Sequence, residues 1–514
     1  MSGASSQTQS EGAGAAGKQI GLFSSIPDRL LNVTYALALT VSISTWFIAI
    51  RAPLWLDETG SFQQISGGFS AISSRQGLSF PAYSYILWFC TKILGTGEIA
   101  LRVPEILAML GSVYLLYLAA RELFDRDVAF IATIIFCLHP VVVFAAIDVR
   151  PYAFGALAIN AAILCLIRLR RSDSSWLAAL FGFSAACIVC FHFLFGVILP
   201  ALAIGFFVIK TGAGKTSWRQ FGIALAVFTV AFLPVALSMR NMVQTSSTHV
   251  FAEAPALSEL GLTLAPEWLP WILLGAAFLA ALVRRLGPDG KIEARRLALC
   301  ALLGLVPILI LYGTSAKTPL HVFVARYRLV AIPGIALCWG AVLSLINSRA
   351  IRLLFCVVLV AATAFQYFRS PYTRTHGYTW KYALEFAEKN ASVDRAPVLI
   401  CSDFTESDHV QMPVGPAVKD SALFAPLSYY KLSGPVVGLP RTLNEEAIRV
   451  GSNFLLDAAG RGERFLVLGY IPSYKTLYWL ANSASGTYSV HELGESNGIV
   501  ILEFQPRTEA GISR

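Results

Sequence analysis

The sequence predicts a polytopic α-helical membrane protein that ends in a soluble α/β domain. Hydrophobic side chains make up 56% of the 514 residues and charged side chains only 14%, and the mean hydropathy is +0.62. One soluble core cannot bury that much apolar surface, so a bilayer must surround most of the chain. After residue 368 the long apolar segments stop and shorter periodic segments replace them.

Three regions follow from this pattern. Residues 1–28 are rich in Gly, Ser, Ala and Gln and lack the apolar centre of a secretory signal, which predicts a disordered cytoplasmic tail. Residues 29–368 form the predicted transmembrane domain, because they repeat apolar segments of about 20 residues, enough to cross about 30 Å of hydrocarbon. The clearest segments are 31–50, 128–147, 221–238, 297–313 and 329–345. Residues 369–514 form the predicted α/β domain.

The basic residues indicate the orientation in the membrane. The net charge of +9 comes from clusters in short connections, which favours topology signals over nucleic-acid binding. The positive-inside rule places the connections around 121–126, 168–171, 210–219, 284–296 and 349–352 in the cytoplasm. The connections around Asp148 and His192, and those at 239–266 and 314–327, then lie outside. We predict about eleven spans in the inner membrane, with the amino end cytoplasmic and the carboxyl-terminal domain periplasmic.

This alternation requires residues 51–101 to form one external loop, with 102–120 as the second span. The piece 81–94 inside that loop is apolar, but it is short for a span and contains Lys92. It is therefore predicted to be a juxtamembrane helix.

The predicted carboxyl-terminal domain combines strands and helices. Residues 396–403 and 464–470 have the pattern of buried strands, and 443–459 that of an amphipathic helix. Residues 488–504 predict a hairpin that turns at 495–498.

Two adjacent carboxylates open the first external loop. Asp57 and Glu58 follow Trp55 just after the first predicted span. Adjacent side chains diverge on a helix or a strand, so we expect one carboxylate to act as a base while the other orients it or binds an acceptor. The alternative is that Asp57 caps a helix that runs to about Ser66, since Asp is a favoured capping residue.

A cluster of cations precedes the tenth predicted span on the same side of the membrane. It consists of Lys317, His321, Arg326 and Arg328. Cations at the outer surface run against the positive-inside rule, and binding of a lipid-linked phosphate, with Arg326 as the main ligand, would explain them. Contact with lipid headgroups by extended side chains is the alternative.

Two further polar groups fall on this external face. Asp148, Arg150 and Tyr152 connect the third and fourth spans, and His192 lies at the next external turn. An Asp–Arg pair that only holds a turn, and a histidine at the membrane boundary, are the structural alternatives. The positive-inside rule was applied to the basic cytoplasmic connections and not to these four groups, yet it places all four on the external face. This agreement favours a shared site. No ionisable residue lies near the middle of an assigned span, where ion-coupled transporters usually have one.

The ordered motifs resemble those of the membrane-embedded GT-C glycosyltransferases. The branch in question contains protein O-mannosyltransferases, lipid A aminoarabinose transferases and rhizobial galacturonosyltransferase-like proteins. The resemblance covers roughly residues 31–367. The matching segments are Trp55-Leu56-Asp57-Glu58, the stretch from Gly97 to Pro104, Asp148 to Ala153, His192, and Arg326-Tyr327.

The resemblance implies inverting transfer of a sugar from a polyprenyl monophosphate to an acceptor. Asp57 would be the catalytic base, and Arg326, with Lys317, His321 and Arg328, would bind the donor phosphate. The implied substrate- and acceptor-binding residues are Glu58, Trp55, Asp148, Arg150, Tyr152 and His192. A monophosphate leaving group carries less charge than a diphosphate, so no metal or other cofactor is expected to be required. The expected partners are the lipid-linked sugar, the bilayer and a lipid A, polysaccharide or protein acceptor, with no nucleic acid.

Two other functions share many of these features. A flippase or transporter of lipid-linked saccharides would have the spans and the basic groove, but would not need Asp57. An O-antigen ligase or polymerase would be expected to use diphosphate donors.

Overall fold

The chain folds into a bundle of long helices followed by a small mixed α/β domain. The computed structural model describes residues 27–74, 81–169, 171–208, 218–244, 254–264, 294–344, 346, 348–369, 378–391 and 395–507. The helices before residue 370 are Asp28–Ser44, Leu56–Ser66, Gly68–Ser74, Pro81–Leu94, Glu98–Leu123, Arg126–Leu138, Pro140–Ala145, Tyr152–Leu169, Ser175–Phe191, Leu199–Val208, Trp218–Gln244, Ser258–Leu264, Ala294–Lys317, Ile332–Leu343 and Arg349–Arg369. Short 3-10 helices at Thr45–Ala49, Phe193–Ile198 and Ala325–Ala331 adjoin them.

Seven helices in the described part of the chain are long and apolar enough to cross a membrane, which confirms the multi-pass membrane class. They are Asp28–Ala49, Glu98–Leu123, Tyr152–Leu169, Trp218–Ala236, Arg295–Lys317, Ala325–Leu343 and Arg349–Arg369. Ser175–Phe191 and Phe193–Phe207 are shorter apolar helices. The count of about eleven stays a prediction, because the crossing that it needs between 266 and 284 lies outside the described residues. Residues 1–26 of the predicted cytoplasmic tail also lie outside the described residues.

The predicted third span is not one continuous helix. Arg126–Leu138 ends at His139, and Pro140 begins the separate helix Pro140–Ala145. Proline lacks the backbone N–H that a helix interior requires, so it starts a helix more readily than it continues one. The loop that bears Asp148 follows directly.

A close helix crossing positions the segment that bears Arg326. A Cβ added to Gly334 would lie 2.2 Å from the backbone N of Gly304. Only glycine permits this approach of Ile332–Leu343 to Ala294–Lys317, as small residues do at membrane helix crossings. The 3-10 helix Ala325–Ala331 continues directly into Ile332–Leu343, so this crossing fixes its place.

The first loop contains the predicted juxtamembrane helix. Pro81–Leu94 has the bounds that the sequence indicated, and its 14 residues span about 21 Å. That length is shorter than the hydrocarbon core of a bilayer.

The carboxyl-terminal domain contains one five-stranded sheet of order β2-β1-β3-β5-β4. Its strands are β1 (Val398–Cys401), β2 (Val436–Leu439), β3 (Phe465–Tyr470), β4 (Tyr488–Ser496) and β5 (Ile499–Pro506). The pairs β2–β1 and β1–β3 are parallel, and β3–β5 and β5–β4 are antiparallel. Helices or helical turns at Lys381–Ala391, Ala417–Asp420, Pro426–Tyr429, Glu445–Arg461 and Tyr474–Ala484 surround the sheet.

The main sequence predictions for this domain are confirmed. The strands β1 and β3, the helix Glu445–Arg461 and the β4–β5 hairpin lie where they were predicted. The hairpin turns at Asn497 and Gly498, whose φ angles are 51° and 81°, because a tight two-residue turn needs positive φ at both positions. Strand β2 was not predicted, because Gly434, Pro435, Gly438 and Pro440 interrupt this short apolar segment.

The first loop and the carboxyl-terminal domain lie on the same side of the helix bundle. Leu54 and Leu56 share a hydrophobic core with Trp380, Leu384 and Phe424. Backbone atoms of Leu54 also bond to the later domain, since its N–H donates to the Tyr430 hydroxyl at 2.7 Å and its carbonyl accepts from Thr379 Oγ1 at 3.0 Å. The residues just before Asp57 are therefore held by both parts of the chain.

Candidate active site

Asp57 lies in the first turn of the helix Leu56–Ser66, which we call the first-loop helix. The N–H of Trp55, the residue that precedes this helix, donates to Glu58 Oε2 at 3.1 Å. Glu58 therefore caps the helix from its third position, as in a capping box. The alternative that Asp57 is the capping residue is wrong, because Asp57 is the second residue of the helix.

Glu58 is fully enclosed by protein. Its Oε2 pairs with Arg102 Nη2 at 2.9 Å, both side chains are 0% exposed, and its Oε1 accepts the N–H of Val149 at 3.0 Å. Arg102 Nη1 also donates to the carbonyls of Ile50 and Ala52, at 2.8 and 2.6 Å. The predicted acceptor-binding role of Glu58 conflicts with this burial. The geometry instead makes Glu58 a residue that positions the first-loop helix.

Asp57 points the other way, towards Arg326. Arg326 Nη1 lies 3.2 Å from Asp57 Oδ2, and each side chain is 18% exposed. The guanidinium carbon of Arg326 also lies over the rings of Trp55 and Tyr327, at 5.6 and 5.4 Å, in cation–π contact. The fold thus joins the carboxylate that follows the first span to the guanidinium at the start of a late one.

The connection 148–151 packs against the first turn of the first-loop helix. Trp55 Nε1 donates to Asp148 Oδ1 at 2.9 Å, and Arg150 Nη1 lies 3.5 Å from the carbonyl oxygen of Asp57. Burial acts to lower the pKa of Arg150, but Asp57, Tyr152 and Asp148 together outweigh it and raise that pKa above its ordinary value. Arg150 is therefore a second charged guanidinium beside Asp57.

Tyr152 and His192 are buried behind Arg326. Their rings are 5.4 Å apart, and the His192 ring lies 5.0 Å from that of Tyr327. The Tyr152 hydroxyl is buried and has no hydrogen-bond partner within the described residues. Most buried hydroxyls in folded proteins have a partner, so this group is available to an oxygen of a bound substrate.

The other three predicted phosphate ligands lie in different surroundings from Arg326. Arg328 Nη1 donates to Thr263 Oγ1 at 2.7 Å and lies 3.3 Å from the Glu259 carbonyl, so it holds the short helix Ser258–Leu264 and not the Asp57–Arg326 pair. Lys317 is exposed at the end of its helix, and it forms no ion pair within the described ranges. His321 is half-buried in the segment that leads to Arg326. Of the predicted phosphate ligands, Arg326 is the one that forms an ion pair with Asp57.

The carboxyl-terminal domain contributes a side of the site that the sequence did not indicate. A Cβ built on Gly60, one turn beyond Asp57, would lie 4.0 Å from the ring of Phe404. Tyr378 lies close enough to Asp57 for the carboxylate to raise its pKa, although burial is the main cause of that rise. Asp57 therefore lies between the membrane domain and the carboxyl-terminal domain.

Metal-binding side chains do not cluster in the part of the chain that the structure describes. No group of three or more His, Cys, Asp or Glu side chains there has the geometry of a metal site.

Residues 79–238 match the family model of dolichyl-phosphate-mannose-protein mannosyltransferases. The fold is similar to that of ArnT from Cupriavidus metallidurans in the apo state, with a TM-score of 0.60 and 13% identity over 93% of this chain and 98% of that one. It is similar to the same ArnT bound to undecaprenyl phosphate, with a TM-score of 0.58 and 11% identity over the same shares. No curated protein sequence matches significantly. The resemblance to GT-C glycosyltransferases is thus confirmed at the level of the fold.

Proposed function

We propose that the chain is an inverting glycosyltransferase of the inner membrane, which moves a sugar from a polyprenyl-phosphate donor to an envelope acceptor at the periplasmic face. The acceptor would be lipid A, a polysaccharide or a protein. The observation that carries this proposal is the contact of 3.2 Å between Asp57 Oδ2 and Arg326 Nη1. It supports the pairing of a base for the acceptor with a cation for the leaving phosphate.

Arg326 supplies the donor half of the site. Its guanidinium can bind a phosphate through two parallel hydrogen bonds, and the buried Tyr152 hydroxyl lies behind it. Undecaprenyl phosphate is a ligand of ArnT, which has a similar fold, and this supports a polyprenyl phosphate as the donor. When the phosphate binds, it replaces Asp57 as the partner of Arg326.

Asp57 supplies the acceptor half. The acceptor oxygen bonds to the anomeric carbon while the bond from that carbon to the phosphate oxygen breaks. The hydroxyl proton passes to the Asp57 carboxylate, and the electron pair leaves on the phosphate, whose growing charge Arg326 stabilises. A single displacement of this kind inverts the configuration. The phosphate leaves as an anion, so no general acid is needed, and we propose that no metal is required.

Replacing Asp57 by Asn tests the base directly. We expect sugar transfer in proteoliposomes to fall by about 10²- to 10⁴-fold, with donor binding retained. Asp420 is an exposed carboxylate on the same side of the molecule, so Asp420→Asn is the matched control and should transfer normally. Normal transfer by the Asp57→Asn protein would exclude the proposed mechanism.

Replacing Arg326 by Ala tests the phosphate ligand. Loss of one such charge-stabilising group costs about 10²- to 10³-fold in turnover, and the KM for the donor should rise more than that for the acceptor. Arg51→Ala is the control, since Arg51 is an exposed cation of the first loop. Equal losses for donor and acceptor would contradict the phosphate role.

Two further measurements separate the competing functions. Monophosphate and diphosphate donors are compared in the same vesicles, with EDTA in a parallel sample; a preference for diphosphate would favour a ligase or polymerase. Transbilayer movement of the labelled carrier without sugar transfer would favour a flippase. Mass spectrometry of envelope glycans, with and without the protein, identifies the sugar and the acceptor, and a fusion reporter at the carboxyl end tests its periplasmic location.

A further inference from the structure

Three parallel strands of the carboxyl-terminal domain end at one edge of the sheet. The order β2-β1-β3 means that the chain leaves β1 for one neighbour and then passes to the neighbour on the other side. This reversal creates a crevice at the carboxyl ends of β1 and β3, the place where open α/β sheets bind ligands. Asp403 follows β1, Arg441 follows β2 and Tyr470 ends β3. The sheet topology alone therefore brings these side chains to that crevice.

Tyr378 completes the group, and we call Tyr378, Asp403, Arg441 and Tyr470 the strand-end cluster. The rings of Tyr378 and Tyr470 stack 4.4 Å apart at 9°. Tyr378 donates its hydroxyl to Asp403, which also accepts Trp380 Nε1 at 3.3 Å. Arg441 lies close enough to lower the pKa of both Asp403 and Tyr470. All four side chains are partly exposed, so the cluster is accessible from solvent.

The strand-end cluster faces the side of the first-loop helix that bears Asp57. Phe404, the neighbour of Asp403, contacts the helix at Gly60, and Gln63 Nε2 donates to the Asp420 carbonyl at 3.0 Å. Tyr378 interacts electrostatically with both Asp403 and Asp57. A small cavity separates Leu56 from Ser402 and Asp403, so the two surfaces are not close-packed there.

The chemistry of the cluster suits a saccharide. A sugar ring presents hydroxyls at its edge, which a carboxylate and a guanidinium can bind in pairs, and C–H groups on its faces, which pack on aromatic rings. Burial raises the pKa of Asp403 to about 6, against hydrogen bonds from Tyr378 and Trp380 that lower it, so the carboxylate is charged at neutral pH. A partly buried carboxylate of this kind is typical of a functional site.

We propose that the strand-end cluster is an acceptor subsite, which binds a saccharide unit of the acceptor and presents its hydroxyl to Asp57. This inference rests on the proposed glycosyltransferase function and names the class of its acceptor. Asp403 and Arg441 would hold ring hydroxyls, and the stacked tyrosines would pack on the ring.

Binding of simple sugars to the full-length protein in nanodiscs tests the subsite without turnover. The probes are methyl glucoside, galactoside and mannoside at millimolar concentration, observed by saturation-transfer NMR. The wild type should transfer saturation to the ring protons of at least one hexoside, and Asp403→Asn should weaken that signal about tenfold through the lost hydrogen bonds to a charged group. Tyr378→Phe keeps the ring stack and removes only the hydroxyl, so it serves as a second variant if Asp403→Asn does not fold.

Asp457→Asn is the matched control, because Asp457 is an exposed carboxylate elsewhere in the same domain. It should bind the hexosides as the wild type does. Unchanged binding by both Asp403→Asn and Tyr378→Phe would overturn the subsite. Binding of a Ser/Thr-containing peptide probe in place of the hexosides would overturn the saccharide class. Asp57→Asn should keep hexoside binding and lose transfer, so failure of the catalytic proposal is distinguishable from failure of this one.

Discussion

The two sides of the first-loop helix carry the same kind of ion pair in opposite surroundings. On the side towards the membrane helices, Glu58 and Arg102 are both 0% exposed at 2.9 Å. On the other side, Asp57 and Arg326 are each 18% exposed at 3.2 Å and lie next to the carboxyl-terminal domain. Two adjacent residues of one helical turn thus carry an enclosed pair and a partly exposed pair.

The difference in burial separates a structural role from a functional one. Arg102 is bonded to Glu58 and to three backbone carbonyls, so neither charge can change partner without leaving the other buried and uncompensated. Arg326 and Asp57 keep contact with solvent, where an exchange of partners costs little. The enclosed pair holds the helix, and the accessible pair is free to take part in the reaction.

Removing Arg102 should produce the largest effect. Arg102→Ala leaves the Glu58 carboxylate buried without its cation, which costs about 3–5 kcal/mol of folding free energy. Thermal unfolding of the purified protein in detergent, followed by tryptophan fluorescence, measures this loss. Arg326→Ala is the comparison and should lower the unfolding free energy by less, because its partner Asp57 keeps contact with solvent. Equal melting temperatures for the two variants would remove the distinction between the two sides.

Neutralising each carboxylate in turn gives a smaller effect and a sharper comparison. Glu58→Gln weakens charge-assisted hydrogen bonds worth about 1.5–3 kcal/mol, so it should lower the melting temperature clearly. Asp57→Asn should leave the melting temperature unchanged and abolish transfer. The prediction fails if Glu58→Gln is as stable as the wild type, or if Asp57→Asn loses its stability together with its activity.

The sequence predicted part of this comparison. Adjacent residues on a helix diverge by about 100°, so a division of roles between Asp57 and Glu58 was expected. The residues alone did not show which carboxylate faces the site, because that depends on where Arg102 and Arg326 lie in three dimensions; the prediction of Asp57 as the base came from the family resemblance. Arg326 was singled out because a cation on the external side is unexpected under the positive-inside rule. The same rule applies equally to Arg328, so it could not show that Arg328 bonds to Thr263 and not to the site.

The carboxyl-terminal side of the site was beyond the reach of the sequence. Apolar periodicity predicted β1 and β3, yet β2 is only four residues long and its place in the sheet decides where the crevice forms. Tyr378 stacks on Tyr470 and donates a hydrogen bond to Asp403, and none of the three has a local motif that marks it. Long-range contacts of this kind leave no period in the sequence.

The strand-end cluster, which faces the accessible side of the first-loop helix, should respond to pH through Asp403. Its pKa of about 6 lies above the ordinary 3.8, so its contribution to stability is greatest below pH 3.8 and is lost as pH rises towards 6. Saccharide binding that needs the carboxylate should change in the opposite direction and be about tenfold weaker at pH 5 than at pH 7. Tyr378, Arg441 and Tyr470 face this carboxyl. The NMR signal of the methyl hexosides measures the change, and Asp403→Asn should abolish it; a variant that keeps the full pH dependence would assign it to another group.

The smallest expected effect concerns competition for Arg326. If the donor phosphate must replace Asp57 as the partner of Arg326, removal of the Asp57 charge should strengthen phosphate binding. A partly exposed ion pair is worth on the order of 1 kcal/mol, so Asp57→Asn should bind decaprenyl phosphate about fivefold more tightly. Glu58→Gln, on the enclosed side, should bind it as the wild type does. Titration of the purified proteins with the lipid measures this. Weaker binding by Asp57→Asn would mean that Asp57 orients Arg326 for the phosphate and does not compete with it.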